Sequence, residues 1–273
     1  MTFKFGRDSA SPEFMGLFAA CGCNFGETGV GDGFIPEEDD AAWAIHKAEL
    51  QEAEKKYNLK LETANGFLPG KYHICGENPD TEVLLRYAET ACRRADELGV
   101  EYIMFGSGGA RKIPEGFDRE KGMAQFIDFC RELVKRIADC KVTILFENLR
   151  AQETNILNLL SEEQEIVELI NSPKLQMMAD LYHMAQMNES PESIIKAGAH
   201  LKHVHVADPN TRKWPGHTDG DLIKYFTALK KIGYNGRITF ECGWPNHEEV
   251  GMESLKETTA KSFGTVNSWI EKA

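Results

Sequence analysis

The sequence predicts an α/β fold in which eight parallel strands close into a (β/α)8 barrel, one domain spanning residues 1–273. Three observations predict it. Short apolar segments alternate with amphipathic helical stretches along the chain, the pattern of a parallel sheet covered by helices. Eight strand-like segments can be counted, which favours a closed barrel over an open doubly wound sheet. The length of 273 residues fits the roughly 250 that such a barrel needs, and no linker or shift in composition divides the chain.

The elements follow in order. Phe3–Gly6 reads as a strand, then a helix runs from about Pro12, with proline at its start, to Ala20. Asn24–Thr28 is the second strand, Glu37–Tyr57 a helix charged on its outer side, and Leu59–Ala64 the third strand. Asp80 is placed to cap a helix whose apolar stripe is Leu84, Ala88, Ala91, Ala95 and Leu98, ending at Gly99. The fourth strand, Val100–Phe105, leads into four residues, Gly106-Ser107-Gly108-Gly109, read as a tight turn. Met123, Phe126, Ile127, Cys130, Val134 and Ile137 form one helical face. Val142–Phe146 is the fifth strand, and Ser161 with Gln164 makes a capping box for the next helix. The strands Leu175–Ala179, Leu201–Val206 and Ile238–Phe240 complete the barrel, with helices at Pro191–Ala199, Leu222–Ile232 and Met252–Ile270.

Composition narrows the function. The net charge is −12 with no run of lysine or arginine, which argues against nucleic acid and anionic membranes as partners. Seven scattered cysteines without a CxxC pair read as free thiols in a reducing compartment. The N-terminal MTFKFGRDSASPEF lacks a basic region followed by a long apolar stretch, and no window reaches the length of a membrane span. A cytoplasmic protein is expected.

The chemistry sits at the strand ends, where barrels of this kind carry their active sites. The fifth strand ends in Glu147-Asn148. The sixth ends in Asp180, with His183 just after. The seventh carries His205 near its mouth, followed by Ala207-Asp208, and the eighth ends in Glu241. One acid after a strand is commonly a helix cap, and one strand histidine is commonly core. Four such residues on adjacent strands are not explained that way, because three carboxylates brought together without a cation repel. Glu147, Asp180, His205 and Glu241 are therefore read as ligands of one divalent ion. Three oxygens and one imidazole suit Mn²⁺, with Mg²⁺ or Co²⁺ as alternatives. His203, two residues deeper than His205 on the same face, is read as core. Glu27 ends the second strand and reads equally as a pocket residue or a structural ion-pair partner.

The segments FENL, ADLYHM, HVHVAD and ITFE resemble the sugar phosphate isomerase/epimerase superfamily, the xylose isomerase-like TIM barrels. Mechanistically they are most similar to ketose 3-epimerases of the tagatose and psicose epimerase kind. The resemblance spans essentially the whole chain and implies the same metal quartet. It also implies substrate contacts by Glu153, His183 and Arg212, the last ahead of Pro215-Gly216. Read without it, Glu153 is a loop acid and His183 a packing residue at a helix start. The stretch between His205 and Arg212 is one residue longer than in those epimerases. The relatives also suggest a homo-oligomer, although no exposed stripe in the sequence demonstrates one.

The implied activity is isomerisation or epimerisation of a sugar-like α-hydroxy ketone, a ketose or inosose, through an enediolate. Glu147 and Glu241 would remove and return the proton. A lyase, dehydratase or decarboxylase, on the same metal site is the alternative and would need a further acid. A repair endonuclease is disfavoured, because the third and fourth strand ends, Thr63-Ala64-Asn65 and Gly106-Ser107, offer no histidine. A non-catalytic subunit is disfavoured by the complete quartet. Trp214, Trp244 and Phe67 could wall a sugar ring or serve as packing residues. The lack of a P-loop or basic cradle favours an unphosphorylated substrate in carbohydrate metabolism.

Overall fold

A computed structural model describes residues 3–273, so the first two residues of the N-terminal segment read above lie outside it. Eight parallel strands close in sequence order: β1 (Lys4–Arg7), β2 (Phe25–Gly29), β3 (Leu61–Asn65), β4 (Tyr102–Phe105), β5 (Thr143–Phe146), β6 (Leu175–Asp180), β7 (Leu201–Val206) and β8 (Arg237–Phe240). β1 pairs with β8 over four residue pairs, from Lys4–Arg237 to Arg7–Phe240, which shuts the barrel. β4 and β5 are largely apolar, buried by helices on one face and by the barrel interior on the other, while the remaining strands carry polar side chains as well.

The interior is layered. Met104, Leu145 and Met178 form a small apolar cluster inside, packed against Tyr102. Phe25 reaches across toward His203, ring to ring at 6.2 Å. A Cβ at position 6 would lie 2.4 Å from the Phe25 ring, so glycine on β1 is what lets this ring fit. Outside, the aromatic set Phe105, Phe126, Phe129 and Phe146 packs helix Arg119–Arg136 onto β4 and β5. Phe67 joins it edge-on to Phe105 and is fully buried, so it is core rather than a wall for a ligand.

The expected helices form, with shorter starts. The first begins at Met15 rather than near Pro12, and the next long one at Asp40, capped by Asp39, which accepts the Ala42 N–H at 2.9 Å. Two expected caps are corrected. Asp80 makes no cap bond to its helix; its Oδ2 accepts from the His73 N–H. The helix Leu160–Ile170 starts one residue before Ser161, so that serine lies inside the first turn and cannot cap it. Glu189 instead accepts the Leu160 N–H at 2.9 Å, and Glu162 reaches back to the Asn158 N–H at 2.6 Å. Four short helices were not anticipated: Val30–Phe34, Gly108–Arg111, Leu181–Gln186 and His247–Val250. At four to six residues they are too short to show a periodic apolar face. Each follows a strand, at the end of the barrel where the strands terminate. Among the described residues, no helix is long and apolar enough to cross a membrane.

Candidate metal centre and active site

Strand register sets the site. Asp180 and His205 are direct partners across β6 and β7, and His205 faces Thr239, two residues before Glu241. Glu147 follows β5 immediately. His205 Nδ1 lies 3.4 Å from Glu147 Oε1, 3.6 Å from Glu241 Oε2 and 3.9 Å from Asp180 Oδ2. The four residues offer one ligand atom each, all within 4.8 Å of one another.

Local structure holds each group in place. Asn148 clasps the strand end beside it: its Nδ2 donates to the Asp180 carbonyl at 3.2 Å and its Oδ1 accepts the Asp180 N–H at 2.9 Å. Asp180 Oδ1 accepts the His183 N–H at 2.9 Å, capping the short helix and leaving Oδ2 for the cluster. Buried Arg111 donates to the carbonyls of Phe105, Glu147 and Leu157, tying β4 to the loop that carries the first glutamate. Gly106 makes room for that glutamate's carboxylate, since a Cβ there would sit 2.2 Å from Glu147 Oε2. The glycine segment is thus a one-turn helix and a close approach rather than a simple tight turn.

The electrostatics fit a cation. Burial and the Glu241 charge hold the Glu147 carboxyl above the usual range and push Asp180 up to about 6. Burial opposes ionisation of Glu241 as well, but His205 and Arg212 outweigh it and bring that carboxyl down to about 2. Burial disfavours a charged His205, yet Glu27 and Glu241 raise its pKa well above the ordinary value. Glu147 Oε1 and His205 Nδ1 are buried, face each other and make no aligned hydrogen bond. Buried polar atoms left this way call for a partner, and a divalent ion suits three carboxylates and an imidazole.

The three further residues named from the sequence gather beside the quartet. Arg212 donates to Glu153 Oε1 at 3.0 Å and to Glu241 Oε2 at 3.3 Å. Its backbone is left-handed, φ 57°, an uncommon conformation for a branched-free but bulky residue held at a working site. Asp208 builds the loop that aims it, accepting from the Asn210 and Thr211 N–H groups and from Thr218. Glu153 also accepts from Arg150 Nε at 2.8 Å. His183 is fully buried, and burial lowers its pKa to about 4. Its Nδ1 accepts the Arg150 N–H at 3.2 Å, while Nε2 has no hydrogen-bond partner.

Several neighbours were not singled out from sequence. Asn65 Nδ2 donates to Glu241 Oε1 at 3.4 Å. Tyr182 lies under both Arg150 and Arg212, each guanidinium 5.5 Å from its ring centre. Of the two tryptophans read from the sequence as wall or packing residues, Trp244 stacks on Arg7 and donates to Asp8 at 3.2 Å, and Trp214 packs against His217. Asn65 also lines a cavity of about 400 Å³ over the ends of β1–β3, with Ser9, Ser11, Thr28, Asp32 and His46 among its walls.

Residues 16–261 match the family described as the xylose isomerase-like TIM barrel. The chain belongs to this family. It is 30% identical over 207 residues to an L-ribulose 3-epimerase of Methylomonas sp. (strain DH-1), covering 73% of this chain and 70% of that protein. It is 31% identical over 203 residues to a D-psicose 3-epimerase of Enterocloster bolteae, covering 71% and 65%. An inosose isomerase of Bacillus subtilis matches over 117 residues at 26% identity, 39% of this chain and 42% of that one. Among solved structures, the D-psicose 3-epimerase of Clostridium cellulolyticum H10 with D-tagatose superposes with a TM-score of 0.82 at 19% identity, covering 98% and 99%. The IOLI protein with a bound zinc atom superposes with a TM-score of 0.74 at 19% identity, covering 99% of each chain. Both likenesses are of fold.

Proposed function

We propose that the protein is a divalent-metal-dependent isomerase or epimerase of a sugar-like α-hydroxy ketone, a ketose or an inosose. The observation that carries this is the convergence of Glu147 and Glu241 on one imidazole nitrogen, at 3.4 and 3.6 Å, inside a cluster of four ligand-type groups. The named relatives, ketose 3-epimerases and an inosose isomerase, support the same reaction class.

Glu147, Asp180, His205 and Glu241 would hold the ion, and the donor set suits Mn²⁺, with Mg²⁺ or Co²⁺ as alternatives. A bound divalent ion supplies charge stabilisation for the anion that forms when a C–H beside a carbonyl loses its proton. The chain's own groups do the rest. One of the two glutamates takes the proton and the other returns one. Return to the opposite face of the same carbon gives an epimer, and return to the neighbouring carbon gives an isomer. His183 is neutral, its Nδ1 is occupied as an acceptor, so its Nε2 carries the hydrogen and is a free donor to a substrate oxygen. Glu153, fixed by two arginines, accepts from a substrate hydroxyl. Arg150, Arg212 and Tyr182 close the mouth on one side and limit water. Both guanidiniums are already engaged by carboxylates, which supports an unphosphorylated substrate. The free cysteines, mostly buried, support a reducing, cytoplasmic setting.

The test is proton exchange. Protein loaded with Mn²⁺ is incubated in D₂O with ketoses, ketose phosphates, inososes and keto acids, with metal-free protein as control, and products are weighed by mass spectrometry. Metal-dependent deuterium uptake with all other atoms retained is expected. Loss of water or CO₂ would replace this reading with a lyase. Glu147→Gln and Glu241→Gln should each abolish turnover in a folded protein, and an active Gln variant would remove that glutamate from the proton path.

A further inference from the structure

We infer that Glu27 is a positioning residue for His205, fixing the ring so that Nδ1 faces the ion and Nε2 carries the hydrogen. This rests on the metal centre proposed above. Glu27 projects from β2, across the barrel from the quartet, and its side chain is completely buried. Oε2 accepts from Thr63 Oγ1 at 2.7 Å and from Thr239 Oγ1 at 3.0 Å, and lies 3.3 Å from His203 Nε2. Oε1 is left over. It sits 3.1 Å from His205 Nε2, an ion-pair contact short of an aligned hydrogen bond, and neither atom has any other partner. The carboxylate is thus pinned on one oxygen and presents the other to the imidazole.

The consequence is a choice of tautomer. An ion held by Glu147, Asp180 and Glu241 needs the lone pair of Nδ1, the ring nitrogen they surround, so the remaining hydrogen falls on Nε2, where Glu27 Oε1 faces it. In the opposite tautomer an N–H would point into the cluster and block a cation. Carboxylates that orient a ligand histidine in this way raise its basicity and fix its angle, and their loss typically costs about 10- to 100-fold in metal affinity.

A rival reading exists, because Glu27, His203 and His205 themselves lie close enough to hold an ion. The hydrogen bonding disfavours it. Two hydroxyls already donate to Glu27 Oε2, and His203 Nε2 is 3.0 Å from Thr239 Oγ1. An ion there would also make His205 bridge two metals through both ring nitrogens.

The experiment compares the parent, Glu27→Gln, Thr63→Val and Asp180→Asn for Co²⁺ binding. It reads bound metal per chain, affinity by competition with a chromophoric chelator, and the paramagnetically shifted ¹H NMR signal of the exchangeable histidine N–H. The parent should bind one Co²⁺ and show one slowly exchanging shifted N–H. Glu27→Gln, which keeps shape and removes charge, should bind 10- to 100-fold more weakly, with that N–H moved and faster to exchange. Thr63→Val, which only loosens Glu27, should shift both readouts in the same direction by less, so the test survives if Glu27→Gln does not fold. Parental affinity and an unmoved N–H in a folded Glu27→Gln, or in Thr63→Val if the other fails to fold, would overturn the assignment. Two ions in the parent and one in Glu27→Gln would overturn it in favour of a second metal site. A parent that binds no better than Asp180→Asn would overturn the metal centre itself.

Discussion

Gly106→Ala separates the metal centre from the stability of the fold. Gly106 is not among the residues with positive φ, so alanine meets no backbone penalty there. The added Cβ would lie 2.2 Å from Glu147 Oε2 and 3.1 Å from its Cδ. Relief requires the carboxylate to retreat by roughly 0.8 Å to reach the shortest contacts that real side chains tolerate. The clash is with the free end of one side chain, so the fold can absorb it. Removal of a glycine even stabilises the chain by about 0.4–1 kcal/mol through the unfolded state. A metal centre cannot absorb it, because ligand distances tolerate only about 0.2 Å. A displacement near 1 Å at a reacting group costs on the order of 10²-fold in rate. The expected result is a metal-free protein at least as stable as the parent in urea, with weakened Mn²⁺ binding and turnover down about 10²-fold. Gly109→Ala is the control, since its Cβ would find only ordinary contacts at 3.5 Å or more. Parental metal affinity and turnover in Gly106→Ala would refute the reasoning. Marked destabilisation of the metal-free variant would show that the glycine serves the backbone instead.

Arg212→Gly and Arg212→Ala should both raise KM, because Glu153 and Glu241 lose their shared partner. The glycine variant should be the more stable of the two by about 1 kcal/mol in denaturant titration, since only glycine adopts φ 57° freely. Arg111→Met should cost about 3–5 kcal/mol of unfolding free energy, because three buried carbonyls lose their donor and the buried Glu163 loses its cation. Metal binding should release protons. The metal-free His205 is held protonated, and Asp180 ionises only above about 6. Affinity should therefore rise with pH from 6 upward, and calorimetry in two buffers of different ionisation enthalpy should record the release. An affinity that does not vary with pH would contradict the arrangement of charges described here.

The barrel was legible because the segments of β5–β8 are short, rich in apolar residues and set between strong helical stripes, and β5, β6 and β8 run directly into an acidic residue. The predicted seventh strand, Leu201–Val206, coincides with the observed one. The clustering of Glu147, Asp180, His205 and Glu241 could be read for the same reason, since a residue at the end of a strand projects onto the rim. What escaped was whatever depends on which residue lies across the barrel or one strand away. Glu27 was ambiguous because its position on β2 does not reveal that Thr63, Thr239 and two histidines await it. Asn65, Arg111 and Tyr182 carry no spacing that points at Glu241, Glu147 or Arg212. The capping box at Ser161 failed because a serine and a glutamine three residues apart specify a cap only if the helix starts there. Here Glu189, distant in sequence, satisfies the first N–H instead.

Charge order ties the site together. From the mouth inward the side chains alternate in sign: Arg150 to Glu153 at 2.8 Å, Glu153 to Arg212 at 3.0 Å, Arg212 to Glu241 at 3.3 Å, Glu241 to His205 at 3.6 Å and His205 to Glu27 at 3.1 Å. Two carboxylates stand outside this series. Glu147 and Asp180 flank His205 at 3.4 and 3.9 Å, and no lysine or arginine among the described residues pairs with either. These are also the two whose ionisation burial and Glu241 oppose. The unmatched charge is thus confined to one spot beside His205 Nδ1, and it amounts to two negative charges once both acids ionise. A divalent cation that displaces the Nδ1 proton leaves one negative charge where two stood, whereas a monovalent ion would leave both in a buried place. The same series keeps Glu241 anionic and Arg212 occupied, so a neutral ligand, such as the hydroxy ketone proposed above, would enter without breaking an ion pair, while an anionic one would have to compete with Glu153 for the arginines.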